Sequence, residues 1–439
     1  MTRMQSEIQD KESWRRKAPK KTMNQYLPFV MWIIPLTFLT YQFILRLWPG
    51  LMMQPIMTQF SIDASQFGII VAFYYYGYAS MQIPVAILLD RFGSRAIVAT
   101  FAVLCGVATV LFTYSTNWYL ACLARFLVGA GSAVGLLGVS KVISEWFPAI
   151  RYANMIGWSV SIGLIGAIYG GKPISLLIET YHWQQVAVTL AIISGVIACV
   201  AYLMLRSPPK SASHPISTES FSIKDFKAIL SSPTIWIIAI ANFLMVGSLE
   251  GFSDVWGVPY LMTAYAISKN NAAELVSLVF IGMMCGGPIL AWCSQKWGQY
   301  TVIAMCGFGI TITFSFLLLN HHYSWWLQAS LLFCIGVMCC YQAIVFATGA
   351  RLAKPHHLGV TIAFLNCINM LGGSFFHTAI GRLMDIFWTG AINHDGVKQY
   401  TLTAYQSALS VIPASACVGA MLIGLMGSVI YRKQRRIAG

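Results

Sequence analysis

The stretch AILLDRFGSR, Ala86 to Arg95, decides how this chain is read. Asp90, Arg91 and Arg95 surround Gly93, and long apolar runs stand on both sides. A second stretch, AWCSQKWGQY (Ala291 to Tyr300), repeats the outline with one charge, Lys296. Its Gly298 lies 205 positions after Gly93, and the same offset lays Ile62 of FSID on Ile267 of YAIS. Pro148 of EWFPAIR precedes Pro355 of LAKPHHL by 207 positions. A glycine turn between apolar runs, present twice at one offset, predicts two copies of one helical membrane unit.

Composition agrees with that expectation. Of 439 residues, 57% are hydrophobic and 10% charged. A soluble globular chain carries about 25% charged residues, so most of this surface does not face water. The apolar runs reach roughly 20 residues, enough to cross a bilayer as a helix. Strand alternation is absent, which argues against an outer-membrane barrel. Twelve spans are predicted, at 26–57, 66–89, 96–114, 118–143, 152–178, 185–205, 234–260, 273–293, 300–319, 325–350, 358–384 and 402–431. The expected fold is therefore an all-α membrane protein of two six-helix pseudosymmetric bundles, 26–206 and 234–431. The first run is longer than a membrane needs and must tilt, protrude or kink at Pro49. A Ser- and Pro-rich linker, 207–233, ends in the amphipathic FSIKDFKAIL, which reads as an interfacial helix.

The net charge of +14 is a topology signal before it is a binding surface. The 1–25 tail, alternate loops and the 432–439 tail hold 21 Lys or Arg, while the opposite loops hold only Lys269 and Lys398. That bias predicts cytoplasmic termini in an inner or plasma membrane and no nucleic-acid partner. The eleven cysteines lie in apolar spans without a C-x-x-C pair and read as packing residues, so no metal or cofactor is expected. The first apolar run is the first span itself, and no cleaved signal peptide is expected.

The whole chain resembles a major facilitator superfamily (MFS) transporter. AILLDRFGSR resembles the family loop G-x-L-x-D-R-x-G-x-R between spans 2 and 3, with Ala86 in place of the first glycine. RFLVGAGSA, Arg125 to Ala133, resembles the span-4 motif R-x-x-x-G-x-G-x-A. GAIYGG, Gly166 to Gly171, resembles the span-5 antiporter motif in part, with Ala167 where that motif has proline. LRLWPGLM and YYYGYASMQIPVAILLDRFG look like a branch of bacterial metabolite importers that also holds a lysosomal dipeptide carrier. The resemblance implies a central cavity lined by spans 1 and 7. It also implies a conformational latch at Asp90, Arg91, Gly93 and Arg95. There Asp90 meets a neighbouring helix N-terminus and the arginines pair with carboxylates.

Charged residues deep in a span are costly unless they face a partner or a cavity, so each is a functional candidate. The 205 offset carries Arg46 onto Gly251, beside Glu250, and predicts that Arg46 and Glu250 sit at matching depths. Snorkelling to the outer interface is the alternative for Arg46. Glu250 and Asp254 are spaced i, i+4 and share one helix face. Two neighbouring carboxylates repel, which suits one of them to take and release a proton, or the pair to hold an amine. An exposed acid near outer water is the alternative for Asp254. Arg125 is a substrate or coupling residue by resemblance, or else a structural hydrogen-bonding hub. Lys172 and Arg382 rank lower, since either can snorkel outward. Tyr41, Trp256 and Gln342 join the candidate binding set. Of Tyr74, Tyr75, Tyr76 and Tyr78, one or two can reach a cavity. Asn366, Asn369 and His377 either line it or bond between helices.

These residues predict a monomeric, proton-coupled secondary transporter in the lipid bilayer, working by alternating access on a small polar metabolite. A zwitterion, an amino acid or short peptide, fits a carboxylate on Arg46 and an amine near Glu250 and Asp254. The rival is an organic anion, including a carboxylate siderophore, bound by Arg46 and Arg125. A non-transporting nutrient sensor is the alternative of another class. No H-E-x-x-H, G-x-S-x-G or Walker A pattern points to an enzyme.

Overall fold

The computed structural model describes residues 26–207, 230–319, 324–352, 358–393 and 396–438. Among them, ten helices are long and apolar enough to cross a membrane. One of the ten, Ala64–Tyr114, contains two expected spans. It bends at Gly93, whose φ of 78° and ψ of 162° are not helical. Tyr74 and Cys105 flank the bend, yet both touch one turn of the next helix, at Gly129 and Gly131. A straight helix would hold them roughly 46 Å apart at 1.5 Å per residue, so the chain doubles back at Gly93. The 29-residue Leu358–Ile386 supplies the remaining span by length.

We label the spans in chain order. They are α1 (Leu27–Leu51), α2 (64–92), α3 (94–114), α4 (Trp118–Trp146), α5 (Ile150–Thr180), α6 (Trp183–Met204), α7 (Pro233–Tyr265), α8 (Lys269–Trp297), α9 (Gln299–Leu319), α10 (Trp325–Leu352), α11 (Leu358–Ile386) and α12 (Leu402–Tyr431). Four helix starts follow a local signal. Asp63 caps α2 in a capping box with Gln66, and Asn117, Ser268 and Thr401 cap α4, α8 and α12. The break in the first run falls at Met52, three residues beyond the expected Pro49, and a short helix Met53–Phe60 follows. The expected tail at 432–439 continues the last helix to Ala438. The 1–25 tail and nearly all of FSIKDFKAIL lie outside the described residues.

The internal repeat is visible atom by atom. Gly298 has φ 84° and ψ 151°, nearly the values at Gly93. The two described non-glycine residues with positive φ, Ser61 and Ala266, are also 205 apart, and both have φ 51°. A Cβ at Gly77 would stand 2.0 Å from the Phe126 carbonyl oxygen, and one at Gly282 would stand 2.2 Å from that of Phe333. Gly129 presses on the Tyr74 carbonyl, at 1.9 Å from a Cβ, and Gly336 on that of Val279, at 2.0 Å. Small residues thus let α2 meet α4 and α8 meet α10 along the same seam in each half.

The halves approach most closely at the end of the bundle away from the chain termini, called here the far end. There Gly68 and Gly381 bring α2 and α11 into backbone contact, and Gly171 packs on Ala273 and Ser277 of α8. Lys172 pairs with Glu274 at 2.5 Å across the α5–α8 seam, and Asn270 donates to Glu179 at 2.6 Å.

The turn glycines give a direct test. Gly93→Ala or Gly298→Ala forces a side chain into a region that only glycine adopts, at about 1–3 kcal/mol. Each variant should melt below the parent in detergent. Gly157→Ala and Gly195→Ala sit in helices with open space at the Cβ position, and should melt at or above it.

Candidate functional site

The site is built where α1 faces an irregular turn of α7. Residues Gly247–Trp256 of α7 are π-helical. Gly247 and Gly251 face Phe376 of α11, at 2.6 and 3.1 Å from added Cβ positions, so the widened turn presses against that helix. π-helical turns recur at functional sites because they re-aim side chains within a helix. Here the turn presents Glu250 and Asp254 to one arginine.

Arg46 lies between both carboxylates. Its Nη2 donates to Glu250 Oε2 and its Nε to Asp254 Oδ2. The Tyr75 hydroxyl donates to the same Asp254 oxygen, and to the Glu250 carbonyl at 3.3 Å. Asn369 of α11 donates to Glu250 Oε1 at 3.4 Å and accepts from Asn242 at 2.8 Å. The guanidinium also stacks on Tyr75 and Phe43, at 5.3 and 5.9 Å from the ring centres. Glu250 and Asp254 are 2% and 3% exposed. The triad is thus bonded in a dry setting, and Asp254 Oδ1 is left without a partner.

Arg125 is the second buried cation, at 1% exposure. Its Nη1 donates to the Leu45 carbonyl at 3.0 Å, next to Arg46, and its guanidinium lies 5.1 Å over Tyr74. Its Nε and Nη2 have no partner. The arrangement therefore holds one neutralised arginine and one with free donors, separated by a pair of tyrosines.

The structure brings Arg46, Glu250 and Asp254 into contact and sets Arg125 beside them, on the Leu45 carbonyl. Three other candidates do not join them. The Tyr41 hydroxyl donates to the Leu190 carbonyl on α6 at 2.6 Å, inside the first half. Trp256 is fully buried and meets Phe67 edge-on, which places it in the seam between halves. Gln342 is half-buried, and its Nε2 has no partner. The latch group is bonded within its own half among the described residues. Asp90 accepts from Lys141 of α4 at 2.8 Å, and the segment leading into α11, 353–357, lies outside those residues. Arg95 stacks on Tyr202 and donates to its carbonyl at 2.5 Å, while Arg91 lies over Phe92; neither pairs with a carboxylate among the described residues. The hexapeptide therefore ties α2 and α3 to α4 and α6 within one half.

Sequence reasoning missed Lys141, because it lies inside an apolar span. Its spacing of four from Glu145, with which it pairs at 3.5 Å, is the available signal. Tyr75 was one of four indistinguishable tyrosines until the helix rotation was known.

Comparison with known proteins agrees with this architecture. Residues 33–377 match the sequence profile of the Major Facilitator Superfamily. The hexuronate transporter of Escherichia coli (strain K12) is 26% identical over 260 residues, 55% of this chain and 60% of the relative. A Bacillus subtilis (strain 168) protein named "Probable galactarate/D-glucarate transporter GudP" is 24% identical over 257 residues, 52% of this chain and 56% of that protein. The chain thus spans little more than half the length of these relatives. A crystal structure of a bacterial homologue of the human lysosomal transporter Spinster, in an inward-facing and occupied conformation, superposes with a TM-score of 0.69. It covers 94% of this chain and 98% of that one at 17% identity, a likeness of fold.

The ionic triad predicts a specific pattern of stability. Arg46→Ala leaves two buried carboxylates without their cation, a change of about 3–5 kcal/mol. Removing all three charges, as Arg46→Ala with Glu250→Gln and Asp254→Asn, should recover most of the loss. Thermal unfolding in detergent checks this. Equal melting of the single and triple variants would show that the charges do not depend on one another.

Proposed function

The chain belongs to the Major Facilitator Superfamily, and from that premise we propose that it carries a small organic anion by alternating access, together with a proton. The observation that carries this reading is Arg125, buried to 1% exposure with two guanidinium donors unpaired. A buried cation without its bonds is costly. A carboxylate supplies two acceptors in the geometry a guanidinium prefers.

Charge balance supports the proton. Arg46 and Arg125 carry two positive charges, and Glu250 and Asp254 carry two negative ones. An anion alone would unbalance this buried set. A monoanion such as a hexuronate with one proton on a carboxylate restores neutrality, a dianion such as glucarate needs two, and a protonated carboxyl also frees a donor on Arg46. The zwitterion reading finds less support. Both of its intended partners, Arg46 and the carboxylates, are already bonded to each other. The relatives named for hexuronate and for galactarate or glucarate are named for carboxylates, which favours the anion. The charge bias of the loops supports cytoplasmic termini, and hence a far end that faces outward.

Counterflow in proteoliposomes tests the reading. Labelled hexuronate or glucarate should exchange, dipeptides should not, and an inward proton gradient should drive accumulation. Arg125→Gln should lower exchange at least about 30-fold, the scale of losing one side of a buried charge pair. Exchange of dipeptides in place of carboxylates would return the zwitterion, and binding without any counterflow would favour the sensor.

A further inference from the structure

The N-terminus of α2 is completed by residues of the other half. The first backbone N–H groups of a helix have no partner within it and need acceptors. In α2 the amide of Gln66 donates to Asp63, its own cap, at 3.0 Å. The amide of Ala64 donates to the Tyr400 hydroxyl at 2.9 Å, and that of Ser65 to Asp385 Oδ2 at 2.7 Å. Asp385 is in the last turn of α11, and Tyr400 lies next to Thr401, the cap of α12. Gly381, one turn before Asp385, makes the approach possible, since a Cβ there would stand 2.4 Å from the Ala64 carbonyl oxygen.

A strap holds Asp385 in place. Between α11 and α12, Ile392 and Lys398 form an antiparallel bridge, and Gln399 donates to the Ala391 carbonyl at 2.9 Å. Lys398 bonds Asp385 at 3.0 Å and Asp63 at 3.3 Å, and lies 5.0 Å over the Trp388 ring. Tyr400 donates to Asp385 Oδ1 at 2.6 Å. Both Asp385 oxygens are therefore used, one by the strap and one by the helix amide. The equivalent start of α8 is capped by its own Ser268, with Asn271 donating at 3.3 Å. Among the described residues, the cross-half cap belongs to one seam.

We propose that Asp385, held by Lys398 and Tyr400, is a latch that keeps the far end shut by capping the N-terminus of α2 across the two halves. The contact has the chemistry expected of Asp90, an acid against a helix N-terminus, but at the opposite end of the bundle. An anion is favoured there by the helix dipole and by direct bonds to free N–H groups. Opening the far end separates α2 from α11, so the amides of Ala64 and Ser65, Asp63 and the strap all lose partners together. The latch rests on the alternating-access reading above, but not on which substrate is carried.

Lys398 sets the pH range. Burial alone would lower its pKa, but Asp385 and Asp63 outweigh burial and hold it above the ordinary lysine value. A raised ammonium pKa means that the ion pairs are present below the usual value of about 10.4 and are lost only as pH climbs past it. The latch is thus intact between pH 6 and 9 as far as Lys398 governs it.

A reporter on the other seam tests the latch. Ser277 is 5% exposed in α8, against Gly171 of α5. In substrate-free proteoliposomes, Ser277→Cys should react slowly with a membrane-impermeant maleimide added at the far side. The same chains without that substitution give the blank for the eleven native cysteines. Asp385→Asn and Lys398→Gln should each speed labelling about tenfold, equivalent to about 1.4 kcal/mol. Tyr400→Phe, which removes only a hydroxyl, should speed it less. Divided by the rate of a freely exposed cysteine at the same pH, which removes the change in thiolate fraction, the parent rate should stay flat from pH 6 to 9. Unchanged labelling in folded Asp385→Asn and Lys398→Gln overturns the latch, even if anion counterflow is intact. Faster labelling without any counterflow upholds the latch and sinks the substrate reading.

Discussion

Arg46 held between Glu250 and Asp254 is the interaction on which the remaining architecture depends. It joins α1 of the first half to α7 of the second. Tyr75 of α2 adds a second bond from the first half to Asp254, and Asn369 of α11 supports Glu250 from its own side. The carboxylates therefore receive their strongest partners from across the interface. A charge in low dielectric loses several kcal/mol when its partner leaves. Rocking the halves apart at this depth would leave two bare carboxylates. Under the transport reading, a proton must take the place of Arg46 on a carboxylate, and the substrate anion must take up the arginine donors so freed, before the halves can part. Coupling then follows from the placement of bonds between rigid bodies, without a separate device.

The surrounding residues make that placement possible. An ordinary α7 would stand farther from α11, since any side chain at 247 or 251 would strike Phe376. Tyr75 sits just as tightly. A Cβ at Gly373 would stand 2.5 Å from its ring, and His377, one turn along α11, packs on it at 5.1 Å between ring centres. Glycine is a poor helix former, at about 1 kcal/mol relative to alanine. Its repeated use in these spans shows that close approach outweighs helix propensity once lipid surrounds the bundle.

The division into halves was legible in the sequence because one offset, 205, recurs at turns where geometry is strict. Gly93 and Gly298 share a conformation closed to other residues, and Ser61 and Ala266 share a left-handed one. The same offset placed Arg46 beside Glu250, because depth along a helix follows from residue count. Rotation about the helix does not follow so simply. Tyr41 and Tyr75 both lie on spans that meet the site, yet one points to α6 and the other to Asp254. The partners of Asp90 and Asp385 were illegible for a further reason. Which acid reaches which helix end depends on how the two halves are tilted, and a motif in one half carries no record of that.

The two far-end seams are related by the repeat but do not hold the halves equally. At α5 and α8 the Lys172–Glu274 pair is 42% and 46% exposed. A pair so wet contributes about 0.2–1 kcal/mol and is screened by salt. At α2 and α11 the Asp385 side chain is 15% exposed, and one of its bonds runs to the Ser65 N–H, which has no helical partner of its own. Separating the first seam exchanges an ion pair for water at little cost. Separating the second exposes a helix end as well as an ion pair, and water must replace a geometry already fixed by Gly381. The pseudosymmetric bundle is thereby given one firm seam and one loose seam, and because the halves part as bodies, the firm seam at α2 and α11 sets when the loose one is exposed.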